Sequence, residues 1–273
     1  MQFHARLLLE TPMSVSASQI VSEVGRLAPE ARLSDWVGSP LGADAVPEIL
    51  SINDHPISVM AIPAPAELSV VEQGHYANHI WPTVEVDAAK HTAHIVIIAA
   101  QKKELEDRQE VLAQARAVTL AAAAISRIVP FIGIQWVDGT NSMDAKDFIR
   151  STESIGRPDA NVVPFWVRVM LFPEISKDGQ TSIIGGTLGL HFFGLTDLEY
   201  PASSLDPKFI MQHAYSTAEY LLRSGKMLQD GETIGVEGHP PGFKVTYAED
   251  GIFVPYPVAR LNILTEKKKW WKW

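Results

Sequence analysis

Four histidines crowd one stretch of the chain: His75, His79, His91 and His94. His75 and His79 stand four residues apart, so on a helix they share one face, a spacing that suits two ligands of one zinc ion. The glutamate that completes the His-Glu-x-x-His motif of zinc hydrolases is absent, and Tyr76 stands in its place. His91 and His94 open an apolar run. A centre built from His75, His79, His91 and His94 is therefore the alternative. The favoured expectation is no metal and no other cofactor, with the histidines on loops and strand ends, satisfied by backbone or solvent.

Other chemistry is thinner. Cysteine is absent, which removes thiol nucleophiles, disulfides and thiolate metal sites. No Gly-x-Ser-x-Gly elbow occurs. Asp138 and Asp144 flank a loop without a nucleophile to pair with. His191 falls inside a strand pattern between Leu190 and Phe192, where a packed cross-strand histidine is expected more than a catalytic base. Gly185, Gly186 and Gly189 miss the dinucleotide-binding spacing and read as a bulge or sharp sheet bend, with room for a partner's side chain as the other reading. No catalytic residue is assigned.

Charge narrows the partners. The chain has 273 residues with 23 Lys+Arg and 32 Asp+Glu, a formal charge of −9. All the acids lie in residues 1–266, which hold 19 of the basic residues and so carry −13. The last seven residues, Lys267-Lys268-Lys269-Trp270-Trp271-Lys272-Trp273, carry +4 and three of the seven tryptophans. An acidic body repels nucleic acid and suits a basic protein partner. Lys267, Lys268, Lys269, Trp270, Trp271 and Trp273 form a candidate interaction tail, expected to fold back on the acidic body or dock in an oligomer. The apolar run Leu7–Leu9 is too short for a signal-peptide core, and Ala113–Val137 is interrupted by Gln114, Arg116, Arg127 and Pro130, so no membrane span is expected and the expected compartment is the cytoplasm. With 46% hydrophobic residues the chain has ample apolar surface for packed cores.

The elements follow from periodicity and punctuation. Phe3–Leu9 reads as a strand, and Ser16 with Gln19 as a capping box for a helix that buries Ile20, Val24 and Leu27. Glu48–Ile52 and Ile57–Ile62 flank an Asn53-Asp54 hairpin turn. Ala93–Ala100 is an apolar run suited to a central strand. Lys102–Val129 is a helix with an alanine-rich second half, followed by a strand at Phe131–Val137 and a short helix from Asp144 to Arg150. Ser151–Asn161 reads as a linker. Val162–Phe172 and Ser182–Leu195 read as long strands joined at Lys177-Asp178-Gly179. Asp206, Pro207 and Gly225 bound a helix with Ile210, Ala214, Thr217 and Leu221 inward. Strands at Thr233–Glu237, Phe243–Tyr247 and Ile252–Tyr256 close the chain, the last two paired across Glu249-Asp250-Gly251.

The expected fold is therefore α+β, with mixed, largely antiparallel sheets and helices on one face, in two tandem sheet-plus-helix units. The expected boundaries are residues 1–150, 151–266 and a basic tail at 267–273. Element order suggests a ferredoxin-like arrangement for the first half.

Two sets of strings add a resemblance. One is Trp81-Pro82, His91-Thr92-Ala93-His94-Ile95-Val96-Ile97 and, after the long helix, Gly133-Ile134-Gln135-Trp136. The other is Phe165-Trp166-Val167, Leu171-Phe172, Gly189-Leu190, Phe193-Gly194 and Leu198-Glu199. Over roughly residues 80 to 255 the chain resembles the bacterial family called Domain of Unknown Function four-two-six-one, whose motifs are hydrophobic and structural. The resemblance implies company with toxin–immunity and secretion-associated genes, type VI secretion among them, and supplies no catalytic residues. The expected function is a non-enzymatic binding protein, of the immunity kind that neutralises a secreted toxin by occluding it. A metal-dependent enzyme using the histidine cluster and a small-molecule binding protein are the alternatives.

Overall fold

The computed structural model describes residues 3–35, 47–66, 81–99, 107–136, 141–157, 159–176, 178–236 and 239–264. It has an α+β fold, and the chain divides into two compact units, Met1–Arg168 and Val169–Trp273. Among the described residues no helix is long and apolar enough to cross a membrane.

The first unit is built on a seven-stranded sheet, β1 (His4–Leu9), β2 (Leu33–Asp35), β3 (Glu48–Ile52), β4 (His55–Ile62), β5 (Ala93–Ala99), β6 (Gly133–Trp136) and β7 (Asn141–Asp144). Their order across the sheet is β2-β3-β4-β5-β1-β6-β7, antiparallel throughout. The Ala93–Ala99 run is central, with Ile95 and Ile97 buried on the face that also carries Ala5 and Leu7 of β1. Helix α1 (Ala17–Leu27) is capped by Ser16 and Gln19 in a complete capping box and buries Ile20 and Val24. Asn53 and Asp54 both take positive φ between β3 and β4, the conformation a two-residue hairpin turn needs and these residue types tolerate. Strands β6-β1-β5-β4 with α1 and the alanine-rich helix α3 (Arg108–Ile125) reproduce the ferredoxin-like order, extended by β2 and β3 on one edge and β7 on the other.

Helix α3 runs from Arg108 to Ile125 with Asp107 as its cap; residues 102–106 of the expected helix lie outside the described residues. Ala121, Ala122, Ala123 and Ala124 are fully buried, because small side chains let the helix axis lie close to the sheet. Helix α4 (Ala145–Ser151) starts at Asp144, whose side chain accepts from the Asp147 amide at 2.8 Å. On the opposite face, the short helix α2 (Val84–Ala88) and Trp81 cover Leu8, so the helices are not confined to one side.

Two expectations change here. The string Val162–Phe172 opens with a helical turn, α5 (Val163–Trp166), before the strand begins. Asn161 Oδ1 accepts from the Val163 amide at 2.9 Å, Pro164 sits in the first turn, and its carbonyl accepts from Asn141 Nδ2. Two asparagine contacts and a proline thus override an apolar string. The turn sends Trp166 inward, where its Nε1 donates to Thr119 Oγ1 at 2.9 Å and its ring meets Phe3 at 4.8 Å and Trp136 at 4.7 Å. Phe148 and Phe165 complete this aromatic core. For that reason the first unit extends to Arg168, past the boundary expected at residue 150, and the expected linker Ser151–Asn161 belongs to it.

Gly133 is a point of close approach in this unit. A Cβ there would run into the Trp81 ring and come within 2.8 Å of the Met143 carbonyl. Gly133→Ala is expected to lower the unfolding free energy by about 1–3 kcal/mol, the usual cost of overpacking, read as an earlier urea midpoint with unchanged slope.

The second unit has a six-stranded sheet, β8 (Arg168–Ile175), β9 (Thr181–Leu188), β10 (Asp197–Ser203), β11 (Thr233–Val236), β12 (His239–Ala248) and β13 (Val258–Ile263), in the order β11-β12-β13-β10-β9-β8. Only β10 and β13 run parallel among the registers described. Helix α6 (Pro207–Ser224) begins with Asp206 as cap and Pro207 in its first turn, and ends at Gly225 with φ 68°. Its buried residues Ile210, His213, Ala214, Ala218 and Leu221 cover one face of the sheet. The expected Asp178-Gly179 turn joins β8 to β9, with φ 78° at Gly179, while Lys177 lies outside the described residues.

The expected strand Ile252–Tyr256 is instead an irregular loop. The strand that pairs with β12 is Val258–Ile263, in register from Phe243↔Ile263 to Ala248↔Val258.

Candidate functional site

The sequence-derived metal candidates do not come together as a described site. His75 and His79 lie outside the described residues. His91 spends both ring nitrogens on backbone: Nδ1 donates to the Ala88 carbonyl and Nε2 accepts from the Ala66 amide at 2.8 Å. No nitrogen of that ring is left for a metal. His94 Nδ1 donates to the Ala64 carbonyl at 2.8 Å, and burial holds its pKa below the ordinary histidine value. Among the described residues no group of three or more metal-ligating side chains could hold an ion. Asp144 is the cap of α4, Asp138 lies outside the described residues, and so does the tail from Lys267 to Trp273.

The polar side chains that do converge sit on β10. Asp197 and Glu199 are two residues apart in an extended strand, so both carboxylates emerge on the same face of the sheet, away from α6. Both are buried, Asp197 completely. A buried carboxylate is tolerated only where donors surround it, and here the chain supplies them. Asp197 Oδ1 accepts from Thr187 Oγ1 at 2.9 Å and the Leu190 amide at 3.0 Å. Its Oδ2 accepts from His191 Nδ1 at 2.7 Å, Tyr256 OH at 3.1 Å and the Gly189 amide at 3.4 Å. Glu199 accepts from Arg260 Nε and from the Ile252 amide, and Arg260 Nη2 donates to the Asp250 carbonyl at 3.2 Å.

Each carboxylate therefore fastens a loop. Asp197 closes the 3-10 turn Leu190–Phe193 that follows β9. This turn is why Ser182–Leu195 is not one strand: Gly189 has φ 123° and Gly194 φ 66°, values that suit glycine and break the extended run. His191 consequently leaves the sheet. Its ring stands 4.1 Å from Phe192 and 5.1 Å from Tyr256, with the side chain 29% exposed. The carboxylate facing Nδ1 assigns the proton to that nitrogen. Burial first, then the charge of Asp197, pushes the Tyr256 hydroxyl above the ordinary tyrosine range, so it stays a donor.

The glycines of β9 serve this arrangement. A Cβ on Gly186 would lie 2.9 Å from the Phe253 ring, and one on Gly185 2.9 Å from Ile210 Cγ2 on α6. The space they leave is filled by this chain's own side chains, on both faces of the sheet, and not by a partner. The register between β9 and β10 also shifts between Tyr200 and Ser203, the irregularity expected of a bulge.

Asp197, Glu199, Tyr256 and Arg260 were absent from the sequence-derived site. The available signal was the alternation Asp197-Leu198-Glu199-Tyr200, acids on one face and apolar side chains on the other.

No curated protein and no solved structure matches the chain. Of the second set of strings noted above, the part from Gly189 to Glu199 falls inside a matched stretch, whereas its first part, Phe165 to Phe172, and the whole set from Trp81 to Trp136 fall outside it. Both buried carboxylates, the loops they fasten and the whole of α6 lie within residues 186–262, which match the model of the family described as Domain of unknown function (DUF4261).

Proposed function

We propose that the chain is a non-enzymatic, cytoplasmic binding protein that works by occluding a basic protein partner, in its finest form an immunity protein that neutralises a toxin. One observation carries this reading. The buried carboxylates of the second unit spend their hydrogen bonds on donors of their own chain, and the result is two fastened surface loops. Rigid loops held by a scaffold are what a recognition surface needs. The charge of −13 on residues 1–266 supports it further, since complementary fields raise the rate at which a basic partner is met.

The test uses the product of the adjacent gene, purified and titrated with the full chain. The expected result is a tight complex whose affinity falls as salt rises, with the partner's own activity suppressed in proportion to complex formed. Absence of binding, or binding that leaves the partner fully active, overturns the proposal.

A further inference from the structure

We infer that the loop 249–256, together with the turn 190–193, is the docking surface for a basic, aliphatic-bearing segment of the partner. This inference rests on the binding reading above and names its surface.

The loop presents an unusual mixture. Ile252 is 52% exposed. Phe253 beside it is only half-buried and stacks on Phe172 at 5.0 Å. His191, Phe192 and Tyr256 continue the surface with half-buried rings. Exposed apolar and half-buried aromatic side chains on one fastened loop and the turn beside it suit a contact site, where amphipathic rings give area at little entropic cost.

The surface is also fixed in advance. The Ile252 amide is held by Glu199, the Asp250 carbonyl by Arg260 and the Tyr256 hydroxyl by Asp197. The Gly251 amide closes the loop on itself, donating to the carbonyls of Val254 at 3.0 Å and Tyr256 at 3.2 Å. A loop already ordered loses little freedom on binding, so more of its contact energy appears as affinity.

Charge chooses the occupant. Glu249 and Asp250 are exposed next to Ile252. Arg260, the cation beneath the loop, is paired with Glu199. An apolar tip with an acidic flank fits a polypeptide segment that offers lysine or arginine beside an aliphatic side chain. It disfavours anionic partners such as nucleic acid or an acidic peptide.

The experiment titrates full-length wild type and three variants with the purified adjacent-gene product by calorimetry, with circular dichroism as a check on folding. Ile252→Asp is expected to weaken binding about a hundredfold. The double reversal Glu249→Lys/Asp250→Lys is expected to weaken it about tenfold or more and to flatten its salt dependence. Val86→Asp, at a residue 67% exposed in the first unit, is expected to bind within about twofold of wild type. Wild-type binding with Ile252→Asp unaffected, or with Val86→Asp equally weakened, overturns the surface and leaves the binding reading standing. Failure of the wild type to bind removes the binding reading itself. A wild-type dimer that Ile252→Asp dissolves, seen by sedimentation, assigns the loop to a second copy of the chain and also overturns the inference.

Discussion

Replacing Asp197 with alanine is expected to destabilise the second unit by about 3–5 kcal/mol, the range seen when one partner of a buried charged network is removed. The magnitude follows from what the carboxylate leaves behind. Thr187 Oγ1, the Leu190 and Gly189 amides, His191 Nδ1 and the Tyr256 hydroxyl all point at its two oxygens. Several of these are buried where water cannot replace the lost acceptor, and each orphaned donor costs about 1–3 kcal/mol. The loss is not uniform. Hydrogen exchange should accelerate first at residues 189–194 and 252–256, the two segments that Asp197 fastens, before it rises in β12 and β13. Asp197→Asn keeps one acceptor oxygen but turns an amide group towards the other donors, so it should fall between alanine and wild type. Equilibrium urea unfolding measures the free energy. A loss under about 1 kcal/mol for Asp197→Ala would show that water satisfies the abandoned donors, and that Asp197 does not hold the loops.

How much of this was legible in the sequence depends on the range of the interaction. Features written within four or five residues came through. Ser16 with Gln19, Asp144 before α4, and Asp206-Pro207 with Gly225 around α6 all cap where their spacing says they should, because a cap is a contact between near neighbours. The central strand came through because a run such as Ala93–Ala99 has few other ways to bury both faces. Failures came where a distant residue decided a local conformation. Nothing near Val163 announces that Asn141 will hold the Pro164 carbonyl. Nothing near Ile252 announces that Glu199 will seize its amide and divert the chain from a strand into a loop. The same is true of the site. Asp197 gathers donors from β9, the 190–193 turn and the 251–256 loop, and only the register of β9, β10 and β13 brings those segments together. One strand signal was local: from Ala259 the string Ala259-Arg260-Leu261-Asn262 alternates buried and half-buried side chains as a strand should, and it lies in β13.

A second large effect is expected from acid, and it centres on His213. This side chain lies on α6 beneath the sheet, its ring 4.5 Å from Phe243, and Tyr200 donates its hydroxyl to Nδ1 at 2.8 Å. Burial among these rings pushes the His213 pKa down to about 4, and burial likewise raises Tyr200, which keeps its proton and remains the donor. The sign follows from the difference between states. Above the unfolded value of about 6.5 histidine is neutral whether the chain is folded or not, and pH has no effect through it. As pH falls below that value the unfolded chain takes up a proton that the folded chain refuses until about pH 4. Stability is therefore lost across this window, at up to about 1.4 kcal/mol per pH unit and about 3 kcal/mol in all. Asparagine at this position offers Oδ1 to the Tyr200 hydroxyl and does not titrate. His213→Asn should be less stable than wild type near neutrality, because a smaller side chain leaves space beside Phe243, yet lose less stability on acidification. Urea unfolding at several pH values between about 7 and 4 compares the two slopes. Every other ionisable group is common to both proteins, so the difference between the slopes belongs to His213. Equal slopes would mean that His213 is hydrated in the folded protein and that Tyr200 does not hold it neutral.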